Sequence, residues 1–142
     1  MGNEAIFHVG IKALIFNDKN EVLVLNHSNA EIPFWDLPGG RIQLNQDEED
    51  TLLREIEEEL GINKKGITIG KLFDASISNL KTTDGTIHLM LLTYLCKLKR
   101  HDNFKLSDEH SEWRWCSIDK AKELLKIKFH KNFIEKLEKF KK

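Results

Sequence analysis

Apolar and β-branched residues gather in five runs bounded by turn-forming residues, the pattern of strands. The first, AIFHVGIKALIFN (5–17), is followed by the turn chemistry of DKNE and by EVLVLNH (21–27), its expected hairpin partner. A polar loop, SNAEIP (28–33), comes next. The spacing then changes to that of a helix: over 47–60, Leu52, Leu53, Ile56 and Leu60 fall within one arc of about 100°. This helix is expected to start near Asn45 or Asp47, with Asn45 and Glu48 as a capping box, and to stop at Gly61. ITIGKLFDASISNL (67–80) alternates as a strand with Gly70 at a bulge, and KTTDG turns the chain. TIHLMLLTYLCKL (86–98) is apolar on both alternating faces, which predicts a central strand covered on two sides. After the polar loop KRHDNFKLSDEHS come a short strand, EWRWCSI, and a short helix, DKAKELLK, capped by Asp119. Phe129, Phe133, Leu137 and Phe140 step at helical spacing to the terminus. A strand apolar on both faces needs helices on both sides of its sheet. The expected fold is an α/β (α+β) one, an α/β/α sandwich around a mixed, largely antiparallel sheet.

Composition narrows the class. At 142 residues, 40% apolar and 32% charged, with a net charge of -1, the chain reads as one globular domain over 1–142 with no strong overall electrostatic address. Cys96 and Cys116 form no CxxC and are expected to be free thiols of a reducing, cytoplasmic compartment. Neither a membrane-length apolar run nor a secretion signal is apparent. The charge is unevenly placed: 47–59 holds eight acids against Arg54, and 120–142 nine lysines against three glutamates. The lysine-rich end lacks the aromatic or glycine pattern of a nucleic-acid module and is read as a solvated helix face.

The acids carry the chemistry. On the helix of 47–60, Glu55, Glu58 and Glu59 share the arc beside the apolar stripe, while Glu57 points to solvent. Like charges at this spacing repel by about 0.2–0.5 kcal/mol per pair, and they sit at the end of the helix dipole that disfavours anions. Arg54 can answer Glu58, four positions on, but not all three acids. A hard divalent cation such as Mg²⁺, which takes oxygen ligands, resolves the conflict. Upstream, Pro38, Gly39 and Gly40 form a turn followed by Arg41; paired glycines permit close backbone approach, and an arginine suits phosphate oxygens. Together these parts describe a phosphate-plus-metal site.

In register, these residues resemble the Nudix box, G-x5-E-x7-R-E-U-x-E-E-x-G-U, where U is a bulky aliphatic. Gly40 opens it, Arg54, Glu55 and Ile56 fill its centre, Glu58 and Glu59 its glutamate pair, and Gly61 and Ile62 its end, so that it spans 40–62. The flanks FWDLPGG and EHSEWRWCSIDKAKEL resemble the family as well. One fixed position departs: Gln46 stands where the family has Glu, and Gln43 replaces a frequent Glu. Gln46 keeps an acceptor for Arg54 but removes the charge that roughly doubles such a bond.

The resemblance implies Mg²⁺-dependent hydrolysis of a nucleoside diphosphate linked to X, releasing a nucleoside monophosphate, with Mn²⁺ as an alternative ion. Glu55, Glu58, Glu59 and the Gly40 carbonyl are the implied metal ligands, Arg54 orients the glutamates, and Gly39, Gly40 and Arg41 serve substrate binding. The general base is a box glutamate or a carboxylate of a later loop, Glu109 with Asp108 next to it. The downstream marks of the ADP-ribose, dinucleoside-polyphosphate and NADH groups are missing, which leaves a small MutT-like (deoxy)nucleoside triphosphate pyrophosphatase by default. Two rivals are a nucleotide-binding regulator whose hydrolysis is weakened at Gln46 and an isomerase of isoprenoid diphosphates, for which no suitably placed Cys is found. The expected partner is a small nucleotide, with neither membrane nor nucleic acid. Trp35, Trp113 and Trp115 are read as packing residues, and His130 as a surface histidine.

Overall fold

In a computed structural model, which describes residues 2–27, 34–81, 84–108, 110 and 112–141, seven strands form two sheets. The strands are β1 (Ile6–Ile15), β2 (Val22–His27), β3 (Phe34–Asp36), β4 (Gly39–Arg41), β5 (Ile67–Lys81), β6 (Ile87–Leu98) and β7 (Glu112–Cys116). The helices are α1 (Glu48–Leu60), α2 (Ile118–Leu125) and α3 (Lys131–Glu138). One sheet runs β4-β1-β6-β5 and the other β3-β2-β7. Among the described residues, only β1 and β6 pair in parallel; β4 on β1, β5 on β6, and β3 and β7 on β2 are antiparallel. The mixed, largely antiparallel arrangement is the expected one, and β6 lies inside its sheet between β1 and β5 as its two apolar faces predict.

The core divides along β1. Ile11, Ala13 and Ile15 pack with Leu52, Ile56 and Leu60 of α1, whereas Leu14 packs with Ala121 and Leu125 of α2 and Phe133 and Leu137 of α3. The helices therefore cover two opposite faces. Burying each large side chain of α1 contributes about 1.5–3 kcal/mol. Trp113 and Trp115 pack on the α1 side and Trp35 on the other, as packing residues should. No described helix is long and apolar enough to cross a membrane.

Three local expectations are corrected. β1 and β2 are not hairpin partners: beyond an isolated bridge from Phe16 to Val22 they lie in different sheets, because both edges of β1 are occupied by β4 and β6. The cap of α1 is Asp47, whose side chain accepts from the Asp50 N–H at 2.8 Å while Asp50 accepts from the Asp47 N–H at 3.3 Å. Asn45 instead sits at φ 68, in the left-handed region, and does not form the box with Glu48. Ser117, not Asp119, caps α2, its hydroxyl accepting from the Lys120 N–H at 3.1 Å. Gly61 ends α1 at φ 70, its N–H donating to the Glu57 carbonyl at 3.0 Å, the stop expected of glycine. The β5–β6 register slips between Ile69 and Leu72, which places Gly70 at an irregularity of the ladder.

Candidate active site

Two adjacent glycines set α1 against the sheet, for different reasons. At Gly39, with φ 142, a Cβ would lie 2.0 Å from the Ile11 carbonyl oxygen, so only glycine lets β4 approach β1 here. At Gly40 a Cβ would lie 2.2 Å from the Glu55 carboxyl group, so the missing side chain is the space that this carboxylate occupies. The helix thus lays its acidic face over the glycine strand. Glu55 and Glu59 line one wall of a cavity of about 390 Å³, together with Gly39, Gly40 and Arg41. A larger hollow of about 650 Å³ lies beside Phe16, Gly70 and Cys96 and shares no lining residue with the cleft.

Arg54 ties Glu55 and Glu58 together. Its guanidinium reaches Glu55 at 3.2 Å and Glu58 at 3.8 Å, and donates to Gln46 Oε1 and the Arg41 carbonyl, both at 3.4 Å. Gln46 therefore keeps the hydrogen bond that its amide permits. The three glutamates differ in setting. The Glu58 side chain is 57% exposed and does not line the cavity, whereas Glu55 lines it and Glu59 is buried within it. Glu59 Oε1 accepts from the Gly39 N–H at 2.7 Å. Burial raises the Glu59 carboxyl to about 8, with the charge of Glu55 adding to the shift and Lys12 and the Gly39 N–H opposing it. Among the described residues, no three His, Cys, Asp or Glu side chains converge closely enough to hold a metal ion.

The opposite side of the cleft was not foreseen. Asp36 of β3 is fully buried, and its Oδ2 meets the ammonium groups of Lys12 at 2.9 Å and Lys128 at 2.6 Å and His27 Nε2 at 3.3 Å. Its Oδ1 accepts from the Leu37 N–H at 2.8 Å. Burial acts to raise the Asp36 carboxyl, but Lys12, Lys128 and His27 outweigh it and hold it well below the usual carboxylate range. For Lys12, burial acts downward, and Asp36, Glu59 and Glu55 outweigh it so that the ammonium is raised. Burial, aided by the repulsion of Lys12, lowers Lys128 to about 8. His110 touches both sides, with Nε2 3.0 Å from His27 Nε2 and 3.4 Å from Glu59 Oε2, and burial lowers it to about 4. A lone lysine inside the apolar run AIFHVGIKALIFN and a lone acid in FWDLPGG were signals for Lys12 and Asp36, since a charge in a buried strand needs a partner. Lys128 is one of many C-terminal lysines and carried no such mark.

The remaining expectations fall in different places. Arg41 lines the cavity while remaining exposed, with its guanidinium 3.3 Å from His8 Nδ1. Glu109 lies outside the described residues, and Asp108 is exposed on the turn before His110. His130 caps α3, its Nδ1 accepting from the Asn132 N–H at 3.0 Å.

A sequence model of the NUDIX domain matches residues 6–137. The chain belongs to the Nudix family. This Nudix chain is a hydrolase, a pyrophosphohydrolase by class. It is 29% identical over 124 residues to the asymmetrical bis(5'-nucleosyl)-tetraphosphatase of Sus scrofa, covering 87% of this chain and 82% of the pig protein. It is 35% identical to a putative 8-oxo-dGTP diphosphatase of Bacillus subtilis (strain 168) over 54 residues, 38% of this chain and 35% of that one. The MutT protein of Methanosarcina mazei Go1 shares the fold with a TM-score of 0.75 at 26% identity, covering 98% of this chain and 96% of that protein.

Nudix hydrolases generally use divalent metal ions, and the donor chemistry here suits one. The available ligands on the acidic wall are all oxygen, which favours a hard cation over a thiophilic one. Glu59 is a carboxylate that burial pushes toward its protonated form, and a cation in the cleft reverses that bias.

Proposed function

We propose that this Nudix hydrolase cleaves a phosphoric anhydride bond of a nucleoside polyphosphate, with Mg²⁺ or Mn²⁺ bound by Glu55, Glu58, Glu59 and the Gly40 carbonyl. The observation that carries this reading is the shared cavity, which Glu55 and Glu59 line together with Lys12 and Lys128. One wall suits a cation and the other suits phosphate. When bound, the ion offsets charge on the phosphate oxygens and lowers the pKa of a water molecule.

The chain's own part is positioning. Arg54 holds Glu55 and Glu58 by ion pairs, the Gly39 N–H fixes Glu59, and Gly40 leaves room for the Glu55 carboxylate. Arg41 at the mouth pairs with phosphate oxygens. In the reaction a water oxygen bonds to phosphorus and the bridging P–O bond breaks. The water gives up a proton to a carboxylate, either a box glutamate or one from the loop of Asp108 and Glu109.

A (deoxy)nucleoside triphosphate, split into monophosphate and pyrophosphate, is one substrate reading. A dinucleoside tetraphosphate is the second. It is favoured by the length of the match to the asymmetrical tetraphosphatase, 87% of this chain against 38% for the putative 8-oxo-dGTP diphosphatase. The test is incubation with Mg²⁺ and a panel of dGTP, 8-oxo-dGTP, ATP and diadenosine tetraphosphate, with release of nucleoside monophosphate as the readout. Cleavage of at least one member is expected. Tight binding of one with cleavage of none would overturn the proposal and favour a regulator.

A further inference from the structure

The turn that joins α2 to α3 is fastened to β5 by a clamp of two polar residues. The Ser78 hydroxyl and the Asn79 N–H both donate to the Lys128 carbonyl, at 2.8 and 2.9 Å. Asn79 Nδ2 donates to the carbonyls of Lys126 at 2.9 Å and Phe129 at 3.0 Å. The neighbouring Phe129 ring is fully packed into the core, 1% exposed. The main chain at Lys128 is thus fixed on both sides of the residue, and its side chain runs inward to Asp36, 92 positions away in sequence.

Holding Asp36 does not require this second lysine. Lys12 already provides one ammonium at 2.9 Å, and the Leu37 N–H satisfies the other carboxylate oxygen. Bringing in Lys128 sets two buried ammonium groups against one carboxylate. Burying that second charge costs desolvation and adds repulsion from Lys12, which makes it a poor device for stability alone. An ammonium carries three donors. Asp36 takes one from Lys128, and the same ammonium lies over the Phe34 ring, 5.2 Å from its centre, a contact that uses no hydrogen-bond donor. Lys128 also lines the cavity that Glu55 and Glu59 enter from the other side.

We infer that Lys128 is a phosphoryl-binding residue whose ammonium, set by the Ser78–Asn79 clamp and steadied by Asp36, takes an oxygen of the substrate's polyphosphate chain. This rests on the polyphosphate reading above. Asn79 is then a positioning residue, acting only through Lys128.

The test uses inorganic tripolyphosphate as the probe, titrated calorimetrically into the full chain without divalent ions. The wild type binds it. Lys128→Met, which leaves Asp36 paired with Lys12, weakens binding about tenfold, the scale of one charge-assisted contact. Asn79→Ala weakens it about threefold, and has no further effect in the Lys128→Met background, because contacts that act through one residue are not additive. A purely structural role for Asn79 would leave its effect intact in that background. Folded Lys128→Met protein with wild-type affinity overturns the inference, as does a wild type that does not bind the probe. Should the Met variant fail to fold, Lys128→Gln is scored by the same criterion. Loss of probe binding in these variants while no nucleotide is cut upholds this inference and overturns the proposed substrate class. Nucleotide cleavage with unaltered variant affinity does the reverse.

Discussion

The two walls of the cleft are built in opposite ways. The acidic wall comes from a single turn and a half of α1, where Glu55 and Glu59 line the cleft and Arg54 and Glu58 stand beside them within six consecutive residues. The basic wall is assembled from β1, β3 and the turn before α3, at positions 12, 36 and 128. The first runs from the exposed Glu58 to the buried Glu59, with one guanidinium holding Glu55 and Glu58, and the second is buried and converges on one carboxylate oxygen. Within the acidic stretch the exposed Glu58 and the partly exposed Glu55 can be changed without touching the core. A buried charge cluster cannot lose its centre in that way, because removing Asp36 strands two ammonium groups away from water. Glu55 and Glu58 should therefore tolerate substitution structurally while losing activity, and the basic wall should lose its fold with its centre.

The largest effects test that contrast directly. Asp36→Ala leaves Lys12 and Lys128 buried without their shared partner, and is expected to lower stability by about 4 kcal/mol in denaturant unfolding. Glu58→Gln, at an exposed position, is expected to cut turnover about a hundredfold or more with an unchanged unfolding midpoint. A stable Asp36→Ala chain, or near-normal turnover in Glu58→Gln, would break the comparison.

Protonation offers the next test. Glu59 is raised from its ordinary 4.5 to about 8 in the folded chain, so between these values the unfolded state releases a proton that the folded state keeps. Stability from Glu59 is thus highest below pH 4.5 and falls as pH rises toward 8. His110, lowered from 6.5 to about 4, acts oppositely: its neutral buried form loses stability as pH falls below 6.5. The two slopes offset each other between pH 4.5 and 6.5, and above 6.5 that of Glu59 remains. Without divalent ions, the wild type should lose about 2 kcal/mol between pH 6.5 and 8, and Glu59→Gln should lose little. Equal pH profiles for the two chains would contradict the buried setting of Glu59.

Smaller effects come from the glycine strand and from Gln46. In Gly40→Ala the new methyl group meets the movable end of Glu55, so the fold should hold while turnover drops about tenfold through a misplaced carboxylate. An unaltered rate would remove Glu55 from the site. Gln46→Glu gives the Arg54 bond charge assistance and should raise turnover about threefold. No increase would mean that the lost charge is not what distinguishes this chain from the motif.

The same contrast explains what could be read from the sequence. Helix α1, its stop at Gly61 and its apolar stripe follow from local spacing, because each depends on residues within a turn or two of one another. The choice between Asn45 and Asp47 as cap was not local in that sense: Asn45 adopts φ 68 in the loop that carries the chain from β4 to α1. Strands β3 and β4, three residues each, are too short to show a period, and Gly39 forms a strand rather than a free turn because β1 lies alongside it. That β1 and β2 separate into different sheets depends on β4 and β6 taking the edges of β1, which no local pattern encodes. Lys128 was hidden for the same reason. Its part depends on Ser78 and Asn79 holding its backbone and on Asp36 receiving its ammonium, contacts made across 50 and 92 positions.

The central claim is that Glu55, Glu58 and Glu59 act together to hold a divalent cation at the cleft. The most direct measurement is titration of Mn²⁺ into the wild type and into the Glu55→Gln/Glu58→Gln/Glu59→Gln chain, followed by the electron paramagnetic resonance signal of the free ion. Saturable loss of free Mn²⁺ signal with the wild type and none with the triple variant is the predicted result. Equal uptake by both chains, or none by either, would contradict it.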